Sequence, residues 1–191
     1  MKTSTSLLFG KFIIAFAVAY CKGSKDVTAS IPAGETAVIV PCSGTAFFTS
    51  ETTFRANSIG ESADQVLSKK KALTNARGEL AASIQSTVKT VTDNYVNSRE
   101  FNNREEVEER FESLNREVVN QELTGVRVIC EKLTRTAEGR YKTYIAEELA
   151  ANELMTAYAE RLSQDERLKI DYDYEQFKQT FDAEMKKLSD R

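Results

Sequence analysis

Apolar positions step along the middle of the chain as Val66, Leu73, Ala76, Leu80, Ile84, Val88, Val91 and Tyr95, at intervals of three, four and one seven. That spacing keeps them on one face of a helix and predicts a long helix over about 63–97. Ala72, Ala76, Ala81, Ala82 and Ser83 keep part of it thin, which lets it lie close to a sheet or another helix. Gly78 inside the pattern costs about 1 kcal/mol against Ala, so close packing is expected there. Ser62-Ala63-Asp64-Gln65 has capping-box spacing and predicts Ser62 as the N-cap.

The flanking segments change period. Over 52–62, Phe54, Ala56, Ser58 and Gly60 alternate with Arg55, Asn57 and Ile59, a weak strand pattern in which Gly60 marks a bulge or a close backbone approach. A second helix opens at Asn102-Asn103-Arg104-Glu105 and runs to about Glu122, with Val107, Phe111, Leu114 and Val118 as its buried face. Glu105, Glu106, Glu108 and Glu109 crowd its first turns, where acids complement the helix dipole. Gly125 to Leu133 and Arg140 to Ala146 are β-branched and alternating around the turn Thr136-Ala137-Glu138-Gly139, which predicts a hairpin. In it Val126, Val128 and Cys130 are expected on one side, shared with Tyr144 and Ala146. Leu154, Tyr158 and Leu162 then give a helix over 151–162. Ser163-Gln164-Asp165-Glu166 marks a fresh capping box, and Phe177, Phe181, Met185 and Leu188 form a last helix from Asp173. That helix either packs on the body or projects toward a partner. The order strand, long helix, helix, hairpin, helices predicts an α+β fold: a small antiparallel sheet of about three strands, the long helix packed across it, and additional C-terminal helices.

The start of the chain has a different character. Lys2 leads into an apolar stretch that Lys11 interrupts, leaving Phe12 to Ala19 as an eight-residue hydrophobic core. Eight residues fall short of the roughly 20 a membrane-spanning helix needs and suit an export signal. Ala17-Val18-Ala19 fits ordinary cleavage, and Val18-Ala19-Tyr20-Cys21 resembles a lipobox but departs from it at Tyr20, where a small residue is usual. Residues 22–41 contain both prolines, Pro32 and Pro41, and read as a tether. Ala37-Val38-Ile39-Val40 is a short candidate edge strand before Pro41. Removing 1–21 takes away Lys2 and Lys11 and no acid, so the formal charge moves from -3 to -5. Such a balance offers nothing to nucleic acid.

The chain has 0 His. Imidazole-based nucleophile pairs, the imidazole general base and most catalytic zinc sites are thereby excluded. Ser43, Ser58 and Ser62 lie near glycines without a base. Ser68 beside Lys69, Lys70 and Lys71 is the one clustered Ser–Lys set, and its bland reading is a solvated basic face. Asp171-Tyr172-Asp173-Tyr174-Glu175 loosely resembles a calcium loop but lacks the bend Gly and the distal Glu. We therefore expect no catalytic residues, metal, cofactor or small-molecule substrate. The three cysteines are Cys21, Cys42 and Cys130. If Cys21 carries lipid, Cys42 and Cys130 remain, either as a disulfide in an oxidising compartment or as two buried thiols acting as small hydrophobes.

Two stretches carry a resemblance. Phe54-Arg55-Ala56-Asn57-Ser58-Ile59-Gly60-Glu61-Ser62, followed by Lys70-Lys71-Ala72-Leu73-Thr74-Asn75-Ala76-Arg77-Gly78-Glu79-Leu80-Ala81, resembles the LPP-twenty lipoprotein family, which includes a flagellar basal-disc protein. Cys42-Ser43-Gly44 and the 115–149 region resemble a subgroup of it from Gram-negative gut-type anaerobes. The resemblance implies a dodecin-like helix-on-sheet domain, a lipid-bearing Cys21, assembly into rings or discs, and no catalytic residues. The expected organisation is 1–21 signal peptide and lipobox, 22–41 tether, 42–162 α+β domain and 163–191 C-terminal helical extension. The expected function is a non-enzymatic lipoprotein of the outer membrane, facing the periplasm or the surface. Its partners would be membrane lipid through Cys21 and either copies of itself or other envelope proteins. The alternative is a soluble periplasmic module, cleaved after Ala19, that binds a protein through the Phe177 to Leu188 helix.

Overall fold

Small residues on both sides of one interface set the architecture. The structure, a computed structural model, describes residues 32, 34–101, 103–165 and 173–190. Strand β1 (Thr53–Ser62) turns into helix α1 (Gln65–Asn97), which runs back over it. Gly60 lies directly under α1: a Cβ there would stand 2.2 Å from the Ser68 carbonyl oxygen and 2.5 Å from the Ala72 nitrogen. Ser58 Oγ donates to the Ala72 carbonyl at 2.7 Å, and Ser68 Oγ lies 2.9 Å from the Gly60 carbonyl oxygen and 2.8 Å from Thr143 Oγ1. These bonds satisfy polar groups in a contact too tight for water.

The close approach at Gly60 agrees with the sequence reading, whereas the one at Gly78 does not. A Cβ on Gly78 meets nothing within 4 Å. Gly60→Ala is therefore expected to destabilise by about 2–3 kcal/mol, because helix backbone rather than a side chain would have to move. Gly78→Ala is expected to stabilise by up to about 1 kcal/mol by removing backbone freedom from an exposed helix position. Paired urea denaturation curves check both. Equal effects at the two sites would show that α1 does not lie on β1 in this way.

The hairpin forms from β2 (Arg127–Arg135) and β3 (Tyr141–Ala150), and the sheet order is β1-β3-β2, all antiparallel. The chain passes from β1 to β2 through α1 and α2 (Arg104–Glu122), so β3 occupies the centre. The expected α+β class, with three antiparallel strands under a long helix and helices at the C-terminus, is what the chain adopts. At 33 residues α1 extends about 50 Å, whereas the ten residues of β1 extend about 33 Å. The excess of α1 passes beyond the sheet and packs with α2, α3 (Ala151–Gln164) and α4 (Tyr174–Ser189).

Burial is consequently uneven. One large core joins Phe54, Leu80, Ile84, Val91, Tyr95, Phe111, Val118, Leu149, Leu154, Tyr158, Phe177, Phe181 and Met185 at the bundle end. The sheet end holds only Ala72, Ala76 and Ile145, with Leu73 packed beside them. Phe177 stacks on Tyr158 with centroids 4.8 Å apart and meets Tyr95 edge-on at 5.4 Å. Of the two placements open to the last helix, packing on the body is the one found, and Ile39–Arg191 form a single compact unit.

Several local expectations need correction. Asp64, not Ser62, caps α1, its Oδ1 accepting from the Leu67 N–H at 2.8 Å, because β1 extends through Ser62. Val66 is exposed, since it lies in the first turn before α1 meets the sheet, and Ala82 faces away from it. Val128 and Cys130 do not share a face. A bulge between them leaves Val128 opposite Glu147 and Cys130 opposite Ala146, so the extra residue reverses the alternation. Helix α3 continues through Ser163, whose Oγ donates back to the Glu160 carbonyl, so Ser163 lies inside α3 and is not an N-cap. Ala37 to Val40 form no strand, and Ile39 is exposed.

Candidate functional site

The sheet has two faces, one under α1 and one away from it. Its second face, away from α1, carries Cys130, Lys132 and Thr134 of β2 with Ala146, Tyr144 and Lys142 of β3. Cys42 is bridged to Cys130 with Cα atoms 5.5 Å apart, across 88 residues of chain. The bridge fixes Cys42 on β2, and the short 3-10 helix Thr45–Phe47 that follows lies against β1. Cys42 has φ 56°, a left-handed conformation that costs a non-glycine residue about 1 kcal/mol. The bridge and the burial of Cys42 offset that strain. Further along, Thr49 Oγ1 accepts from the Arg55 N–H at 3.0 Å, and Arg55 Nε donates to Glu148 at 3.2 Å.

The face toward α1 is only half covered. Lys69 reaches from α1 to Glu131 of β2 at 2.8 Å, and Arg77 Nη2 donates to Glu147 Oε1 of β3 at 3.1 Å. Glu147 is fully buried, and its Oε2 has no hydrogen-bond partner among the described residues. A buried carboxylate needs its cation, so Arg77 fixes the depth at which α1 crosses the sheet. At the turn end, Glu61 accepts from Arg140 at 2.6 Å and lies 3.4 Å from Lys142. The Arg140 hydrogen bond, against some desolvation and reinforced by Lys142, holds the Glu61 carboxyl below its ordinary value of 4.5.

At least four recesses lie at the bundle end among the described residues, and two of them stand out by their lining. One, of about 480 Å³, sits between the start of β1, α3 and α4, with Met155 and Phe181 on its floor and Lys178 and Asp182 at its rim. The other, of about 230 Å³, lies between α1 and α2 and collects Glu105, Glu108, Glu109 and Glu112 near Lys89. Neither brings a nucleophile to a base. Among the described residues no three of Cys, Asp and Glu are grouped to hold a metal ion. No helix among them is long and apolar enough to cross a membrane.

Cys21 lies outside the described residues, as do Asp171 and Tyr172 of the acidic run. Asp173 of that run caps α4, accepting from the Gln176 N–H at 3.1 Å. Lys69 and Lys71 are engaged with Glu131 and the Glu61 carbonyl, and Ser68 with Gly60 and Thr143, so the Ser–Lys cluster is part of the helix-to-sheet contact. Sequence reasoning missed the Arg77–Glu147 pair. Its signal was an acid at an inward position of a strand whose other inward residues, Thr143, Ile145 and Leu149, are uncharged.

Compared with known proteins, the chain matches no protein-family model and no curated protein sequence.

Proposed function

We propose that this chain is a non-enzymatic lipoprotein of the cell envelope, anchored through Cys21, whose role is structural or assembly-related and exercised through self-association. The observation that carries the self-association is the unequal burial of the two ends. The sheet end has a core of three small or medium side chains, yet Val128 and Leu133 are exposed on the α1 side of β2, Val66 and Leu67 on the first turn of α1, and Ile59 on the opposite face of β1. Apolar surface left beside a thin core is characteristic of a face completed by another chain. The export pattern before Cys21 and the resemblance to the LPP-twenty family support the envelope location and the anchor.

The test is acyl labelling of wild-type protein and of Cys21→Ser, with membrane fractionation of both and light scattering of detergent-extracted protein. Label on the wild type alone, together with a mass above that of one chain, is the expected result. Unlabelled wild type starting at Tyr20 overturns the anchor. A single-chain mass across micromolar concentrations overturns the assembly role.

A further inference from the structure

Strand β2 pairs with β3 on one side only, and its other edge carries no strand among the described residues. Most of its side chains are exposed, Leu133 by 44%. We propose that this edge pairs with the same edge of a second copy. The pairing is antiparallel, with Leu133 opposite Leu133 on a two-fold axis and Glu131 opposite Arg135 on either side of it. The proposal rests on the self-association reading and names the surface and register through which it occurs.

The register follows from which side chains share a face. Glu131, Leu133 and Arg135 stand opposite Ile145, Thr143 and Tyr141 of β3, and the Lys69–Glu131 ion pair places them on the α1 side. Directly opposed residues of an antiparallel pair lie on one face, so a two-fold axis normal to the sheet keeps both copies of α1 on the same side. With the axis at Leu133, Glu131 of each copy meets Arg135 of the other around a Leu–Leu contact. On the opposite face Lys132 meets Thr134 in both directions. Moving the axis to Glu131 opposes two glutamates, and moving it to Lys132 opposes two lysines, both unfavourable. Turning one copy over makes the two strands parallel, and matching Glu131 with Lys132 then sets Leu133 beside Thr134 instead of a second leucine.

Two features fit the same seam. The bulge between Val128 and Cys130 breaks the regular edge, so pairing is confined to about Cys130–Thr136. Helix α1 packs over β1 and β3 and leaves β2 clear. At about 4.8 Å per strand the two α1 axes come about 19 Å apart, well beyond the 8–10 Å of helix contact, so they do not collide. Charged edges normally repel stray strands. Here the charges complement one another in one register of one partner, a second copy of this chain. A seam of this length is small beside the roughly 1,200–2,000 Å² of stable interfaces, so it suits chains concentrated at a surface.

The experiment uses the full chain in phospholipid vesicles, with energy transfer between labelled copies reporting association. Leu133→Cys is expected to oxidise to a covalent dimer, and Ile59→Cys, on the far edge strand, is not. In the Leu133→Cys background, Glu131→Arg or Arg135→Glu alone is expected to lower dimer yield on the order of tenfold. Mixing the two variants restores it, because one copy then presents arginine at both of these positions and the other presents glutamate at both. Both 131–135 pairs are again a cation against an acid. Two misfolded chains would not rescue each other. Wild-type association with no preferential Leu133→Cys dimer, or with no rescue on mixing, overturns this seam and leaves self-association standing. Absence of energy transfer in wild type overturns both.

Discussion

Replacing Cys42 and Cys130 together with Ala, or reducing the wild type, is expected to lower unfolding stability by about 4–5 kcal/mol. The bridge spans 88 residues, and closing a loop of that size removes about that much conformational freedom from the unfolded chain. The native side adds to the effect. Ala146 is fully buried on the face away from α1, where the segment held by Cys42 crosses the sheet from Cys130 of β2 toward β1. Freeing that segment exposes this face and relaxes the left-handed turn at Cys42. Guanidinium denaturation with and without reductant measures the change, and intact mass under non-reducing conditions counts the thiols. A shift below about 1 kcal/mol would mean that the segment is held by its other contacts, among them the Thr49–Arg55 bonds, rather than by sulfur.

Phe177→Ala is expected to cost about 3–5 kcal/mol, the range for truncating a buried aromatic residue. Its ring is 1% exposed, lies parallel to the rings of Tyr158 and Phe111, and meets Tyr95 edge-on. Removing it opens a cavity where α1, α2, α3 and α4 converge. The near-ultraviolet tyrosine dichroism should weaken as the ring packing loosens. Phe177→Leu keeps most of the volume and is expected to cost about a third as much. The same variant separates the two placements of the last helix. On a helix projecting toward a partner, Phe177→Ala would leave stability within about 0.5 kcal/mol, as surface substitutions do.

Much of the fold was legible because its signals are local. The heptad-like run from Leu73 to Tyr95 fixed a helix and its buried face, and Phe177, Phe181 and Met185 did so for the last helix. Thr136 to Gly139 located the hairpin turn, where Gly139 takes φ 82°. Gly60 was legible too, since a glycine in a strand pattern signals either a bulge or close backbone. Gly78 misled because the same residue has two meanings: a glycine needed by a neighbour, and a glycine merely tolerated in solvent. Only the distance to the opposing chain separates them. The bulge at Ile129 was invisible because a one-residue insertion leaves composition and approximate alternation intact while reversing the facing of everything before it.

The candidate site was less legible. Cys42 and Cys130 could be named, but an 88-residue separation says nothing about whether two sulfurs meet. The Arg77–Glu147 pair joins a helix to the central strand, 70 residues apart, and no local period marks it. Glu131, Leu133 and Arg135 look like an ordinary alternating strand until the sheet order shows that β2 has an open edge.

By itself the sequence determined the elements, the apolar face of each long helix, the α+β class and the chemistry excluded by the absence of histidine. Each depends on spacing within a few residues or on composition alone. Tertiary structure decided which strand is central, which two strands form the edges, where α1 outruns the sheet, and that α4 closes the core. Those outcomes depend on contacts between residues far apart in the chain. Such contacts arise from the free energy of burying several faces at once, which no single segment encodes.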